Sequence, residues 1–300
     1  MEYNEYSSLV LVSLLFTTSI VLFSWLCRRK PILINLVFII NILLALFTYS
    51  FLLHKSFFDT FGVLIQIVVG PSASWTRICV VLFWILNVII SLGFCYYIES
   101  VGSSNTIHRK FFHLTVSAIY ISGIVFDPSF TWICGFLWLC IFILIELLRY
   151  MDVPPWSTHL NQKLLVFKDA QDSELLLTPI YLLVGIFLPL LISFKLPIDG
   201  FQPKLYHFAG VAAVGVGDSS AAIIGSMYGR TKWNNSHKSL EGTFAMLFSI
   251  LLFLNIVNQF IIAPTSIIFI IMASIITSLS EAYIEKMDNI ILPLIAYFIL

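Results

Sequence analysis

Residues 214–243 read VGVGDSSAAIIGSMYGRTKWNNSHKSLEGT. Asp218 interrupts a run that is otherwise apolar or small. Ala221, Gly225 and Gly229 follow at intervals of four, and a basic polar loop then closes on Lys238-Ser239-Leu240-Glu241-Gly242-Thr243. A charge at the bilayer centre costs about 2.5–3.5 kcal/mol even on insertion scales, so an ionisable residue in such a run is a functional candidate by default. Gly215 and Gly217 precede the aspartate, and each weakens a helix by roughly 1 kcal/mol relative to alanine. Aspartate is also a favoured N-cap. The segment 205–229 is therefore expected to be a helix broken near 217 and restarted at 218, with exposed backbone N–H groups that suit an anion. A bare phosphate would be repelled by Asp218, which points to a metal ion between them. The plainer reading is that Asp218 only caps a broken helix.

The rest of the chain places this segment in a membrane. Of 300 residues, 59% are hydrophobic and 11% charged, with mean hydropathy +0.98. That polar fraction cannot coat a soluble globule of this size, and apolar runs near 20 residues recur. The expected fold is an all-α, polytopic membrane bundle of about 9–10 transmembrane helices. The runs are 8–27, 31–53, 78–98, 111–126, 130–148, 176–194, 205–229, 243–262 and 264–284, with a short apolar tail at 289–300. The run 61–70, ended by Gly70-Pro71, is too short to cross and reads as re-entrant or interfacial. The first run lacks a basic n-region and a small-residue cleavage site, so it reads as a membrane helix, not a removable signal. Cys27, Cys79, Cys95, Cys134 and Cys140 form no CxxC pair and no zinc spacing; small buried hydrophobes are the simplest reading.

Basic residues orient the chain. With Arg28-Arg29-Lys30 in the cytosol, threading the spans puts 12 of the 16 Lys and Arg on that side, leaving Lys55, Arg77, Lys195 and Lys204 opposite. The acids gather on the same side, 11 of 16. Orientation alone collects bases, not acids, so both signs together suggest a polar site at the cytosolic boundary. On this topology the sequon Asn234-Asn235-Ser236 faces the cytosol and stays unmodified. No soluble domain, internal repeat or low-complexity tract is evident. Residues 1–107 form an N-terminal membrane region and 108–300 a catalytic one.

Four clusters carry the chemistry. Asp218 leads the first. In the second, the loop supplies Arg230, Lys232, His237 and Lys238, and Glu241 stands where the next span begins, able to hold Mg²⁺ or to orient Lys238. Arg230 and Lys232 also fit a simple positive-inside loop. The third is Arg109, Lys110 and His113; the first and last are four apart and share a helix face. The fourth is Glu281, Glu285 and Asp288, beside Asn289: three carboxylates on one helical stripe, which repel one another unless a cation or basic group intervenes. The small-residue stripe at 221, 225 and 229 serves either close helix packing or close approach of a nucleotide. No P-loop is present. A broken midplane helix is also a transporter feature, though transporters pair it with a second one, and 214–220 has no counterpart.

These residues resemble the polyprenol kinase family, which includes dolichol kinases and plant phytol kinases. The family pattern DxxAxxxGxxxG, a basic loop, then KxxEGT, is matched by Asp218, Ala221, Gly225, Gly229, Lys238, Glu241, Gly242 and Thr243. Arg109, Lys110 and His113 match its RKxxH element, and Glu281, Ala282, Asp288 and Asn289 its EA…DN element. The segment KDAQDSELLLTPIYLLVGIFLPLL looks like dolichol kinases in particular. The resemblance implies CTP-dependent phosphorylation of a long-chain polyprenol with Mg²⁺ or another divalent cation, at the endoplasmic reticulum membrane. It assigns the CTP-binding segment to 214–243. On that reading Asp218 and Glu241 hold the metal and Lys238 meets the phosphates. His113 and Asp288 are candidate bases for the alcohol proton. Nucleotide contacts are expected at Gly217, Ser219, Ser220, Gly225, Gly229, Arg230, Lys232, Gly242, Thr243, Arg109, Lys110 and Asn289. Phosphatidate cytidylyltransferases, which use CTP too, usually carry KKT where this chain has Lys238-Ser239-Leu240; such an activity remains the alternative.

Overall fold

In lipid, every backbone N–H and C=O must find its partner within the segment or its neighbours, and apolar runs of this length therefore become helices. The computed structural model describes residues 2–70, 74–102, 105–164, 167–168, 172, 174–193, 201–234, 236, 238–284 and 286–300. Its helices are α1 (Glu2–Leu26), α2 (Pro31–Leu52), α3 (Phe57–Val69), α4 (Trp75–Val101), α5 (Thr106–Phe126), α6 (Pro128–Tyr150), α7 (Trp156–Leu164), α8 (Thr178–Ser193), α9 (Ser219–Tyr228), α10 (Leu240–Phe260), α11 (Ile267–Tyr283) and α12 (Asp288–Ile299). A 3₁₀ turn, Leu205–Phe208, and a π-helix, Val211–Asp218, precede α9. Among the described residues, six segments are long and apolar enough to cross a membrane: α1 from Asn4, α2, α4, α6, the continuous Val211–Tyr228 segment, and α10. The expected fold class, a polytopic helical membrane protein, is what the chain adopts.

The other expected spans are shorter or more polar. With 16, 17 and 12 residues, α8, α11 and α12 fall below the roughly 20 that a bilayer requires. Helix α5 has 21 residues but opens on His108, Arg109 and Lys110. The run expected to be re-entrant is α3, 13 residues long and capped by Ser56, whose hydroxyl accepts from the Asp59 amide at 3.1 Å. It ends at Gly70, whose φ of 87° lies in the left-handed region that glycine tolerates.

The described chain falls into two compact units. One takes Met1–Ile85 and Ser129–Ile180; the other takes Leu86–Pro128, Tyr181–Phe194 and Gly200–Leu300. In the first, polar side chains join apolar helices: Ser19 of α1 donates to Asn41 of α2 at 2.8 Å, and the hydroxyls of Ser50 and Thr60 meet at 2.8 Å. In the second, α10 packs on α9, on the π-helix and on α11, while α5 and α12 also pack on the π-helix.

The break expected near 217 is instead a change of winding. Val211–Asp218 runs as a π-helix directly into α9, and Asp218 is helical (φ −63°, ψ −32°) with no side-chain capping bond. The wide winding is filled by small residues, Ala212, Ala213, Gly215 and Gly217, all buried. No helix restarts there, so no set of exposed N–H groups is created. Segments of this winding are rare and concentrate at functional sites.

Candidate functional site

Asp218 lies at the seam between the π-helix and α9, with its side chain 10% exposed. Helix α5 supplies its partners. Asn105 caps α5 by accepting from the His108 amide at 2.8 Å, which sets the first turns so that Lys110 and His113 face the aspartate. The ammonium of Lys110 pairs with Asp218 Oδ2. His113 Nδ1 stands 3.4 Å from the same oxygen without forming a hydrogen bond. Thus Lys110 and His113 both reach the aspartate, although the spacing of four puts Arg109, not Lys110, on the helix face of His113. Close approach of α5 to the π-helix depends on Gly215: a β-carbon there would fall 2.0 Å from Ser117 Oγ. The Ser117 hydroxyl in turn donates to the His113 carbonyl at 2.7 Å.

A second cation stands at Glu281. Lys238 Nζ is 2.8 Å from Glu281 Oε1 and donates to the carbonyls of Glu281 (2.6 Å) and Ile284 (2.8 Å). These three bonds use all three ammonium protons. Lys238 therefore ties its loop to the C-terminal end of α11, where a cation is favoured by the helix dipole. The acidic cluster at 281–288 thus receives the basic group that its repulsion requires. The expected single helical stripe does not form, because α11 ends at Tyr283 and α12 begins at Asp288. Asp288 accepts from the Asn289 amide at 2.8 Å and lies in the field of Asp218, Lys238 and Lys110. Asp218, Glu281 and Asp288 thus share one electrostatic neighbourhood with Lys110 and Lys238. Glu281 as a partner for Lys238 was missed in the sequence, although the unneutralised acidic cluster was the signal.

Other expected site residues do different work. Glu241 neither holds Lys238 nor approaches Asp218; it accepts from the amides of Arg230 (3.2 Å) and Thr231 (3.1 Å). The loop is also closed at its base, where the Leu240 amide donates to the Thr231 carbonyl at 2.9 Å and the Trp233 amide to the Lys238 carbonyl at 3.1 Å. Gly225 lies against Gly242 and Ser239 at the start of α10. It follows Asp218 by seven residues, about 10 Å of helix, so one ion cannot bridge Asp218 and Glu241 in this arrangement.

The small-residue stripe serves packing. A β-carbon on Gly242 would meet the Ala221 carbonyl at 3.0 Å, and one on Gly229 would meet Ser239 Oγ at 2.6 Å. Gly217 packs against Ile250. The hydroxyl of Ser219 stays within its own helix, 3.5 Å from the Val214 carbonyl. Ser220 bonds its own helix and Ser249 Oγ at 2.6 Å. Thr243 accepts from Trp233 Nε1 at 3.0 Å. Arg230 and Lys232 are exposed on the loop. His237 and Glu285 lie outside the described residues.

Among the described residues, no three His, Cys, Asp or Glu side chains converge as a ready ligand set for a metal ion. Mg²⁺ asks for less, since it is usually held by one or two carboxylates with substrate phosphates and water. Asp218 offers one such carboxylate, whereas Glu241 is engaged by two amides elsewhere.

A family model described as dolichol kinase matches residues 5–180. The dolichol kinase of Mus musculus is 36% identical over 237 residues, covering 73% of this chain and 44% of that protein. That of Homo sapiens is likewise 36% identical over 237 residues, with the same coverage. The dolichol kinase of Saccharomyces cerevisiae is 30% identical over 220 residues, 73% of this chain and 39% of that protein. This chain therefore spans less than half the length of these relatives. No solved structure matches it.

Proposed function

Since the chain belongs to the dolichol kinase family, we propose that it transfers the terminal phosphoryl group of CTP to the hydroxyl of dolichol, yielding dolichyl phosphate and CDP. The observation that carries this reading is the buried Asp218, paired with Lys110 and flanked by His113, inside a membrane segment of unusual winding. Holding a charged pair at that depth costs energy that a passive span has no reason to spend. Phosphoryl transfer needs little covalent chemistry from a protein; it needs positioning and neutralisation of charge.

The alcohol oxygen attacks the terminal phosphorus, the bond to the bridging oxygen of CDP breaks, and the alcohol proton leaves to a base. Asp288 suits that base better than His113: it is half-buried at the start of α12, whereas His113 is only 4% exposed. Lys110, Arg109, Arg230 and Lys232 supply positive charge for the triphosphate. Lys238 and Glu241 act as positioning residues, the one tying the loop to α11 and the other fixing the loop's first amides. Asp218 would hold a divalent cation, which when bound supplies charge neutralisation at the phosphate oxygens. The isoprenoid tail stays in lipid while its hydroxyl reaches the polar cluster, which suits a site at the boundary. The clustering of bases on one side of the spans supports a cytosolic site, and the chemistry of the acceptor supports residence in the endoplasmic reticulum, where dolichyl phosphate serves protein N-glycosylation.

The test is a nucleotide panel with the full chain purified in detergent. With dolichol as acceptor, CTP should give dolichyl phosphate and CDP in equal amounts, and ATP, GTP and UTP much less. Pyrophosphate release from CTP with phosphatidate as acceptor would instead make the protein a cytidylyltransferase.

A further inference from the structure

The first unit contains an open surface pocket of about 610 Å³ that the transfer chemistry does not use. Its walls are the last turn of α1, the turn after it, the end of α6, and α7. Arg149 builds it. The Arg149 guanidinium grips Glu146 through two bonds of 2.7 and 2.6 Å, and it also donates to Asn161 Oδ1 at 3.2 Å and to the Glu174 carbonyl at 2.5 Å. Glu146 in turn accepts from the Leu176 amide at 2.7 Å. One neutralised pair therefore pins α6, α7 and the segment at 174–176 together. In the same unit, Asn35 of α2 donates to the Pro154 carbonyl at 2.7 Å and accepts from Trp156 Nε1 at 3.1 Å, which ties α2 to the start of α7.

The charges left facing the pocket do not pair across it. Arg28 lies over the Trp25 ring, 4.7 Å from its centroid, and among the described residues it meets no carboxylate. The carboxylates of Asp152 and Glu174 also line the pocket, both exposed and without a cation of their own among the described residues. With Arg149 neutralised by Glu146, the lining offers one guanidinium, two carboxylates and the rings of Trp25 and Tyr150. A ligand that fits carries an anion at one end and a cation at the other. Guanidinium forks suit phosphate oxygens, and carboxylates beside aromatic faces suit an ammonium group. The volume lies within the ordinary range for a small-molecule site. Trp25 and Tyr150 occupy the last turns of two membrane spans, the level at which interfacial aromatics meet headgroups.

We propose that this pocket binds the zwitterionic headgroup of a phospholipid, with its phosphate on Arg28 and its ammonium between the Tyr150 ring and the carboxylates of Asp152 and Glu174. The proposal does not depend on the transfer reaction. It is tested by native mass spectrometry of the full chain, delipidated in mild detergent and titrated with phosphatidylethanolamine, phosphatidylcholine, phosphatidylglycerol or phosphatidate. Soluble glycerophosphoethanolamine is added as a competitor in a separate arm. The two zwitterionic lipids should bind at least about tenfold more tightly than the anionic ones, and Arg28→Gln should weaken them about tenfold, as expected for loss of a charge-assisted bond. Asp152→Asn with Glu174→Gln should erase the preference while leaving phosphatidylglycerol binding intact, which also shows that the variant is folded. Equal binding of phosphatidylglycerol to the unaltered protein, or unchanged binding by Arg28→Gln, overturns the proposal. Competition by glycerophosphoethanolamine at the same concentration as the lipid overturns the lipid source and leaves a soluble headgroup as the ligand.

Discussion

Lys238 and Glu281, 43 residues apart, meet at 2.8 Å, and the lysine's two remaining protons go to the carbonyls of Glu281 and Ile284. The basic loop is thereby fastened to the end of α11. A lysine so engaged contributes to the folded state before any nucleotide arrives, which separates it from a lysine that waits for phosphate.

Lys238→Met should therefore lower thermal stability in the absence of nucleotide. It leaves the Glu281 carboxylate buried and unpaired, a loss of roughly 3–5 kcal/mol for a buried pair broken on one side, or several degrees in the unfolding midpoint. The measurement is the midpoint of the detergent-solubilised protein without ligand. An unchanged midpoint, with only KM for the nucleotide raised, would return Lys238 to a direct phosphate contact.

Gly185→Ala should destabilise the second unit. A β-carbon at this position in α8 falls 1.7 Å from the Asn289 carbonyl oxygen, and a backbone atom cannot swing aside as a long side chain can. The cost is expected near the upper end of overpacking, about 3 kcal/mol. Because Asn289 follows Asp288, transfer activity should fall with it. Thermal unfolding and activity measured on one preparation check both.

Glu241→Gln should loosen the loop without disturbing Asp218. The carboxylate serves the amides of Arg230 and Thr231. Hydrogen exchange at these two amides should accelerate, while exchange along α5 and the π-helix stays as before. Acceleration at α5 instead would mean that Glu241 reaches the buried pair.

The Asn234-Asn235-Ser236 sequon should carry no glycan when the chain is expressed in a eukaryotic membrane. Twelve of the 16 basic residues fall on the side assigned to the cytosol, which glycosylating enzymes do not reach. Digestion with an endoglycosidase should leave the electrophoretic mobility unchanged; a shift lost on Asn234→Gln would invert the orientation.

How much of this was legible in sequence depends on what each feature answers to. Span positions follow from run length, since lipid leaves the backbone few alternatives, and Asp218 stands out because its charge is costly where it sits. The partner of Asp218 was half legible. Both Arg109 and Lys110 lie within a turn of His113, and only the docking of α5 on the π-helix decides between them. The Lys238–Glu281 pair was hidden for another reason: the nearer acid, Glu241, is an equally good partner on paper, and its capture by two amides is a tertiary outcome. The π-helix has no pattern of its own. Two glycines before an aspartate suggest a break, whereas in the fold they let the segment pack closely against Ser117 and Ile250.

The pair of Asp218 and Lys110 yields the sharpest expectation. Asp218→Asn keeps the shape but leaves the Lys110 ammonium buried without its anion, so the protein should insert with a lowered unfolding midpoint while transfer is abolished. Lys110→Met leaves the aspartate buried beside His113 with no full cation, a loss of roughly 3–5 kcal/mol, and should lower both stability and activity. Combining Lys110→Met with Asp218→Leu replaces the pair by apolar groups; such replacements are often neutral or stabilising. The double variant should therefore recover the unfolding midpoint and stay inactive. A midpoint recovered together with activity would make the pair structural only. A double variant as unstable as Lys110→Met alone would mean that the lysine's contribution lies somewhere other than at Asp218. Unfolding midpoint and dolichol phosphorylation, measured side by side on the three variants, distinguish these outcomes because only a functional aspartate separates stability from turnover.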